Sequence, residues 1–131
     1  MADRSTTILL IEGDPTLLEI TAFRLDLLGY QVITFDSAER AMEWINEQLP
    51  SVIIVDHVLP GMDGVEFINR LSNDTRTSNL PIMFLSTNGD LEDVQKAYNA
   101  GADEYLVIPY DPMVLEAKVE RLTSAALQLQ T

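Results

Sequence analysis

The feature that most constrains this chain is a fivefold alternation of short apolar runs with longer segments of helical periodicity. The apolar runs lie at 8–11, 31–35, 52–55, 82–85 and 105–108. In the segments between them, apolar residues recur at the spacing of one helix face. Strands that are joined by helices need crossover connections. The pattern therefore predicts a doubly wound, five-stranded parallel sheet between two layers of helices, an α/β/α fold.

Capping residues mark the predicted helix starts. Asp14 favours the N-cap, and Pro15 fits the first helical position because proline lacks the N–H that would be unpaired there. Gly29 is expected to end this first helix, since glycine tolerates the backbone conformation that follows a helix. Asp36 or Ser37 is expected to cap the second helix.

The length of 131 residues corresponds to one domain. The five strand–helix units occupy residues 7–127, which we expect to form that domain. Residues 1–6 are then an N-terminal tail, and residues 128–131 are either a C-terminal tail or the start of a linker.

Charge and composition exclude several classes of function. The net charge of −13 argues against direct binding to nucleic acid, which needs a positive patch, and against anionic membrane surfaces. The absence of cysteine excludes disulfides, thiolate metal sites and cysteine nucleophiles. No apolar run is long enough to span a bilayer, and the first residues do not resemble a signal peptide. We therefore expect a cytoplasmic protein.

Three carboxylates and a hydroxyl are predicted to meet at one edge of the sheet. Glu12 and Asp14 come after the first strand, Asp56 after the third and Ser86 after the fourth. Ligands of doubly wound sheets bind at the carboxyl ends of the strands, near the point where the strand order reverses. Clustered carboxylates repel one another unless a cation or a proton lies among them, and oxygen ligands suit Mg²⁺. The pattern therefore favours a magnesium site at this edge.

Four segments carry a resemblance to a known family. They are ILLIEGDP at 8–15, VDHVLPGMDG at 55–64, PIMFLST at 81–87 and GADEYLVIPY at 101–110. Together and in this order they resemble the signature blocks of response-regulator receiver domains, which act in two-component and phosphorelay signalling. The likeness covers about residues 7–127. It implies the flavodoxin-like (βα)5 topology and a signalling role rather than an enzyme.

The resemblance implies an acceptor and a metal. Asp56 would take a phosphoryl group from a histidine kinase or a phosphotransfer protein. Mg²⁺ would be bound by Glu12, by Asp56 and by the backbone carbonyl of Val58. Asp14 is a further metal candidate, although a role as helix cap alone explains it equally well.

The resemblance also implies a two-state switch. Ser86 would hydrogen-bond the phosphoryl group, and Tyr105 would then swing inward and change the face formed by the last two helices and the last strand. An output domain or a partner protein would bind that face. A homodimer is a further possibility, without a surface assigned to it. Tyr105 is equally well explained as a plain strand aromatic. The Ile108-Pro109 peptide is open between its cis and trans isomers.

Two positions depart from the family pattern. Gly13 stands where a second metal-binding acid is expected, and Ile108 stands where the family has a lysine. The two losses remove one negative and one positive charge, so the formal charge of the site is unchanged. Because both lost groups would stabilise charge during phosphoryl transfer, we expect Mg²⁺ binding and phosphorylation of Asp56 to be weak or absent.

Two alternatives remain open at this stage. The first is a pseudo-receiver, a protein-interaction module that works without phosphorylation. The second is a small doubly wound phosphatase or a flavin or nucleotide binder. Such a phosphatase would carry a second aspartate where Val58 stands, and a nucleotide binder would need more than Gly13 after the first strand.

Overall fold

Each apolar run forms a strand and each periodic segment forms a helix in the structure, a computed structural model that describes residues 5–129, with side chains to residue 124. The strands are β1 (Thr7–Ile11), β2 (Gln31–Phe35), β3 (Val52–Asp56), β4 (Ile82–Ser86) and β5 (Glu104–Val107). The helices are α1 (Pro15–Leu27), α2 (Ala38–Ile45), α3 (Gly64–Ser72), α4 (Leu91–Ala100) and α5 (Pro112–Leu129). None of the described helices is both long and apolar enough to cross a membrane.

The sheet is parallel throughout, with the strand order β2-β1-β3-β4-β5. The chain moves outward from β1 to β2, returns to β3 on the other side of β1, and then continues outward to β5. The strand order therefore reverses between β1 and β3, and a ligand cleft is expected at their carboxyl ends. The predicted doubly wound sheet is confirmed.

The helices cover the sheet in two layers. Side chains at alternate strand positions point to opposite faces. Leu9, Ile53 and Phe84 belong to the core on the side of α2, α3 and α4. Leu10 and Ile54 belong to the core on the side of α1 and α5. All residues of β3 and β4 are buried, as is typical of the central strands of a parallel sheet.

The capping predictions hold, and one alternative is settled. The Asp14 carboxylate accepts hydrogen bonds from the backbone N–H groups of Thr16 (2.9 Å) and Leu17 (3.3 Å) at the start of α1. Ser37, and not Asp36, caps α2, where its hydroxyl accepts from a backbone N–H in the first turn. These hydrogen bonds satisfy groups that a helix start leaves without partners.

Element ends differ from the prediction by one or two residues, as helix and strand ends commonly do. β5 begins and ends one residue earlier than predicted, because Glu104 already pairs in register with Met83. α5 continues to Leu129, two residues beyond its predicted end. The Ile108-Pro109 peptide is cis. Residues 1–4 and 130–131 of the predicted tails lie outside the described residues.

Gly64, the first residue of α3, lies tightly against the backbone at the end of β3. A Cβ atom there would lie 2.3 Å from the carbonyl oxygen of Asp56, well inside van der Waals contact. At Gly13 the nearest atom to a Cβ would be the Val58 carbonyl oxygen at 3.4 Å, which is close to an ordinary contact. The backbone after Asp56 therefore requires glycine at position 64 but not at position 13.

The Gly64→Ala substitution is expected to destabilise the protein by about 1–3 kcal/mol, because the added methyl must push α3 away from β3. The matched control Gly13→Ala should change the free energy of unfolding by less than about 0.5 kcal/mol. Urea unfolding followed by circular dichroism measures both. Equal losses in the two variants would contradict the close approach at Gly64.

Candidate functional site

An open cleft lies at the carboxyl ends of β1 and β3. It has a volume of about 560 Å³. β1 and β3 pair in parallel with Ile11 opposite Val55, so the next residues, Glu12 and Asp56, emerge side by side. The cleft is lined by Glu12, Gly13, Asp14, Asp56, Val58, Leu59 and Pro60. The strand pairing thus brings the predicted metal ligands together at the predicted place.

Asp56 is the last residue of β3 and is only 9% exposed. The β3–β4 register places it opposite Leu85, one residue before Ser86. Its backbone is held on both sides, because the next residue, His57, donates its N–H to Leu85 (2.9 Å) and accepts from the Gly64 N–H (3.0 Å). The carboxylate is therefore placed at the floor of the cleft by regular sheet pairing.

Glu12 is the most buried acid of the cleft, with 2% of its surface exposed. One carboxylate oxygen, Oε1, accepts the backbone N–H of Asp14 at 3.3 Å. The other, Oε2, has no hydrogen-bond partner among the described residues. Burial raises the pKa of the Glu12 carboxyl to about 8, and the neighbouring Asp56 carboxylate also raises it. At neutral pH this pair therefore holds a proton in the absence of a cation.

The unpartnered oxygen of Glu12 provides a test of whether the cleft suits Mg²⁺. A buried carboxylate oxygen without a donor, next to a second carboxylate, is a place for a hard cation or a proton. Glu12, Asp56 and the Val58 carbonyl could supply oxygen ligands, so the chemistry fits. This set of oxygen ligands contains only two side chains, however. Within the described part of the chain, no three or more His, Asp or Glu side chains are grouped so that they could hold a metal. Asp14 is exposed and caps α1.

Gly13 and Ile108 contribute no charge to this edge. Gly13 has ordinary backbone geometry, and space beside Val58 and Pro60 would accept a side chain. Ile108 is partly buried and packs against the core on the α1 and α5 side. Its backbone N–H donates to the Ser86 carbonyl at 2.8 Å. The isoleucine therefore takes part in packing at the position where the family resemblance places a cation.

The predicted switch residues are joined through Asn88, which follows β4. The Asn88 N–H donates to the Ser86 hydroxyl at 3.1 Å, and the Tyr105 hydroxyl donates to the Asn88 carbonyl. Tyr105 is 7% exposed, and its ring lies 5.7 Å from that of Phe84. The tyrosine therefore lies inward, packed against Phe84 and bonded to the loop after β4.

Sequence reasoning missed three supporting residues. Asn88 gave no signal beyond a polar residue after a strand. Glu39 of α2 accepts the Met62 N–H at 2.8 Å and so holds the loop after Asp56, and this hydrogen bond lowers the pKa of the Glu39 carboxyl. Lys118 of α5 donates to the Tyr105 carbonyl at 2.7 Å and pairs with Glu104 at 3.3 Å. These contacts join distant elements, so no local pattern marks them.

Comparison with known proteins gives one consistent family. The family model for the response regulator receiver domain matches residues 8–120. The phosphate regulon transcriptional regulatory protein PhoB of Escherichia coli (strain K12) is 31% identical over 113 residues, which is 86% of this chain and 49% of that protein. The chain thus spans about half the length of the curated relatives it matches.

Solved structures agree with the fold described above. A response regulator from Chloroflexus aurantiacus J-10-fl has a TM-score of 0.87 and 33% identity, covering 91% of this chain and 98% of that one. The receiver domain of the sensor histidine kinase PA1611 from Pseudomonas aeruginosa PAO1, solved with magnesium in its active-site cleft, has a TM-score of 0.84 and 25% identity, covering 91% and 98%. The sheet order, the cleft between β1 and β3 and the family match show that this chain belongs to the response regulator receiver domains of two-component signalling.

Proposed function

We propose that this receiver domain acts in a phosphorelay and that its acceptor, Asp56, is phosphorylated weakly or not at all. The observation that supports this proposal is the set of residues at the cleft. Asp56 lies beside Glu12, but positions 13 and 108 supply neither a carboxylate nor a cation. Phosphoryl transfer to a carboxylate depends on alignment and on neutralising the charge of the transferring oxygens. The acceptor is in place, whereas a metal ligand and a charge-neutralising cation are missing.

The donor set supports a weakened magnesium site. Glu12, Asp56 and the Val58 carbonyl would hold Mg²⁺, which when bound supplies positive charge to phosphoryl oxygens. Gly13 removes one ligand, and Ile108 removes a separate positive charge. Groups of this kind contribute on the order of 3 kcal/mol each, or ~100-fold in rate. The loss of both supports a large deficit relative to a receiver that keeps them.

A proton competes with the metal for the same place. The raised pKa of Glu12 means that its carboxyl is largely protonated at neutral pH. A metal must displace that proton before it can bind, and metal affinity therefore falls as the pH falls. Because Gly13 supplies no ligand, the metal gains less binding energy with which to displace the proton. This competition supports a weak site in addition to the missing ligand.

A second candidate function is a phosphorylation-independent interaction module. The observation that favours it is Tyr105, which is buried and is held inward by a protein group, the Asn88 carbonyl. In that case the face formed by α4, β5 and α5 is already in one arrangement. That face exposes apolar side chains to a partner, namely Leu91, Tyr98, Val107, Met113 and Val114. Both candidates share the fold and differ only in whether Asp56 is modified.

The partners proposed for this domain follow from its family. A histidine kinase or a phosphotransfer protein would approach Asp56 at the open cleft. An output domain, a separate protein or a second copy would bind the α4, β5 and α5 face. PhoB is named as a transcriptional regulatory protein, and this chain matches 49% of it. We propose that any contact with DNA is made by another domain or protein, since this chain carries a net charge of −13.

The raised pKa of Glu12 gives a testable pH dependence. In the folded protein the pKa of Glu12 is about 8, so the carboxyl holds its proton up to about that pH, whereas in the unfolded chain it loses the proton near its ordinary pKa of 4.5. Between these values the folded state binds more protons, so this group's stabilising contribution is complete at low pH and is lost as the pH rises. The glutamine of Glu12→Gln stays neutral at every pH. As the pH rises from about 5 to about 8, the free energy of unfolding of this variant should therefore increase relative to that of the wild type.

Urea unfolding across that pH range measures the effect. Glu92→Gln is the matched control, because the Glu92 side chain is 84% exposed and should follow the wild-type curve. A Glu12→Gln curve that also runs parallel to the wild type would contradict a protonated Glu12.

Restoring the missing groups should restore phosphorylation. Incubation with acetyl phosphate and Mg²⁺, followed by intact-mass spectrometry, should show little adduct on the wild type. The double substitution Gly13→Asp with Ile108→Lys should raise the rate by ~100-fold or more, because it returns a ligand and a cation. The room beside Gly13 makes the first change sterically acceptable.

Adding Asp56→Asn to the double variant is the control and should abolish the adduct. Rapid, stoichiometric modification of the wild type at Asp56 would overturn the proposal of a weak acceptor. Failure of the double variant to react faster than the wild type would show that positions 13 and 108 are not what limits the reaction.

A further inference from the structure

Helix α1 is apolar on two faces, and only one of them is used by the fold. Leu25 is fully buried, and Leu18 and Ala22 pack against the same core. The outer face exposes 46% of Ile20, 61% of Phe23 and 69% of Leu27. These three residues, which we call the α1 stripe, form a continuous line on the surface. Large exposed apolar residues that are adjacent, rather than scattered, mark interaction surfaces.

The spacing of the α1 stripe is that of a coiled-coil seam. Ile20, Phe23 and Leu27 are separated by three and then four residues, which corresponds to positions a, d and a of a heptad. Thr16, four residues before Ile20, takes the preceding d position. In an ordinary amphipathic helix such a seam faces the core. In α1 it faces away from the core.

The charges that flank the stripe identify its occupant. Glu19 and Asp26 precede the two a positions, which places both acids on one flank at position g. Arg24 follows the d position and lies on the other flank at position e. Glu19 and Arg24 are both exposed. Charges at g and e select the partner and the orientation of coiled-coil helices.

Only one arrangement of two α1 helices matches these charges. In a parallel pair the g flank of each helix faces the e flank of the other. Glu19 of each copy therefore faces Arg24 of the other copy, which gives two ion pairs related by the two-fold axis. In an antiparallel pair like flanks meet, and Glu19 would face Asp26. Like charges that are opposed in this way disfavour association. The pattern is therefore self-complementary in the parallel orientation.

We propose that the α1 stripe is the contact of a parallel, two-fold symmetric homodimer. This contact is separate from the α4, β5 and α5 face, and it does not depend on phosphorylation of Asp56. α1 has 13 residues, so the seam covers less than two heptads. Such a contact is smaller than the ~1,200 Å² of a standard interface, and the dimer is weak and depends on protein concentration.

Sedimentation equilibrium of the full chain between about 10 µM and about 1 mM, at about 150 mM salt to screen the net charge, tests the proposal. The wild type should pass from monomer to dimer within this range. Phe23→Glu should remain monomeric, because it places two carboxylates in the seam. Leu49→Glu is the matched control, since Leu49 is 46% exposed between α2 and β3, outside both α1 and the α4, β5 and α5 face, and its substitution should leave the dimer intact.

Charge reversal tests the parallel orientation. Glu19→Arg or Arg24→Glu alone should raise the dissociation constant by ~10-fold, because each opposes like charges across the seam. The two changes together should return it to the wild-type value. A wild type that is monomeric throughout, a dimer that Phe23→Glu weakens no more than Leu49→Glu does, or a double variant no tighter than the single variants would each overturn the proposal.

Discussion

The contact on which the rest of this site depends is the meeting of two buried carboxylates, those of Glu12 and Asp56. They are forced together by the backbone, because β1 and β3 pair in parallel with Ile11 opposite Val55. Burial and mutual repulsion raise the pKa of Glu12 to about 8. Such a pair needs a proton or a cation, and the occupant decides what the cleft can do. A bound metal ion would supply the positive charge that phosphoryl transfer to Asp56 requires, whereas a proton on Glu12 would not supply it.

The two departures from the family pattern are understandable as a pair. A receiver that lacked only the cation at position 108 would keep an acid at position 13, and that carboxylate near Asp56 would be uncompensated. In this chain Gly13 stands in its place, so that carboxylate is absent. Ile108 gains packing against the core beside α1 and α5. On the proposed account, the domain keeps its acceptor but lacks a metal ligand and a cation that phosphoryl transfer would use. The Tyr105 hydroxyl bonds to the Asn88 carbonyl, so a protein group holds this aromatic side chain inward.

Much of this architecture could be predicted from the sequence, because parallel sheets are built from local patterns. The five apolar runs gave the strands, and Asp14 gave the start of α1. The position of the cleft could be predicted from the strand ends, because a parallel topology places the carboxyl ends of all strands at one edge of the sheet. The roles of Asn88 and Glu39 could not be predicted, because the fold alone brings the Tyr105 hydroxyl to the Asn88 carbonyl and the Met62 N–H to the Glu39 carboxylate. The raised pKa of Glu12 likewise follows from burial, which sequence does not specify.

Backbone NMR of the wild type, titrated with Mg²⁺ and then with beryllofluoride as a phosphoryl mimic, tests the central claim most directly. On this account Asp56 is in place, but the cleft lacks one metal ligand and one cation, so Mg²⁺ and the mimic bind weakly or not at all. At Mg²⁺ concentrations of up to about 10 mM, the amides of Asp56, Ser86 and Tyr105 should shift little, and the mimic should add nothing further. Saturable shifts at Asp56 that spread to Ser86 and Tyr105 when the mimic is added would contradict it.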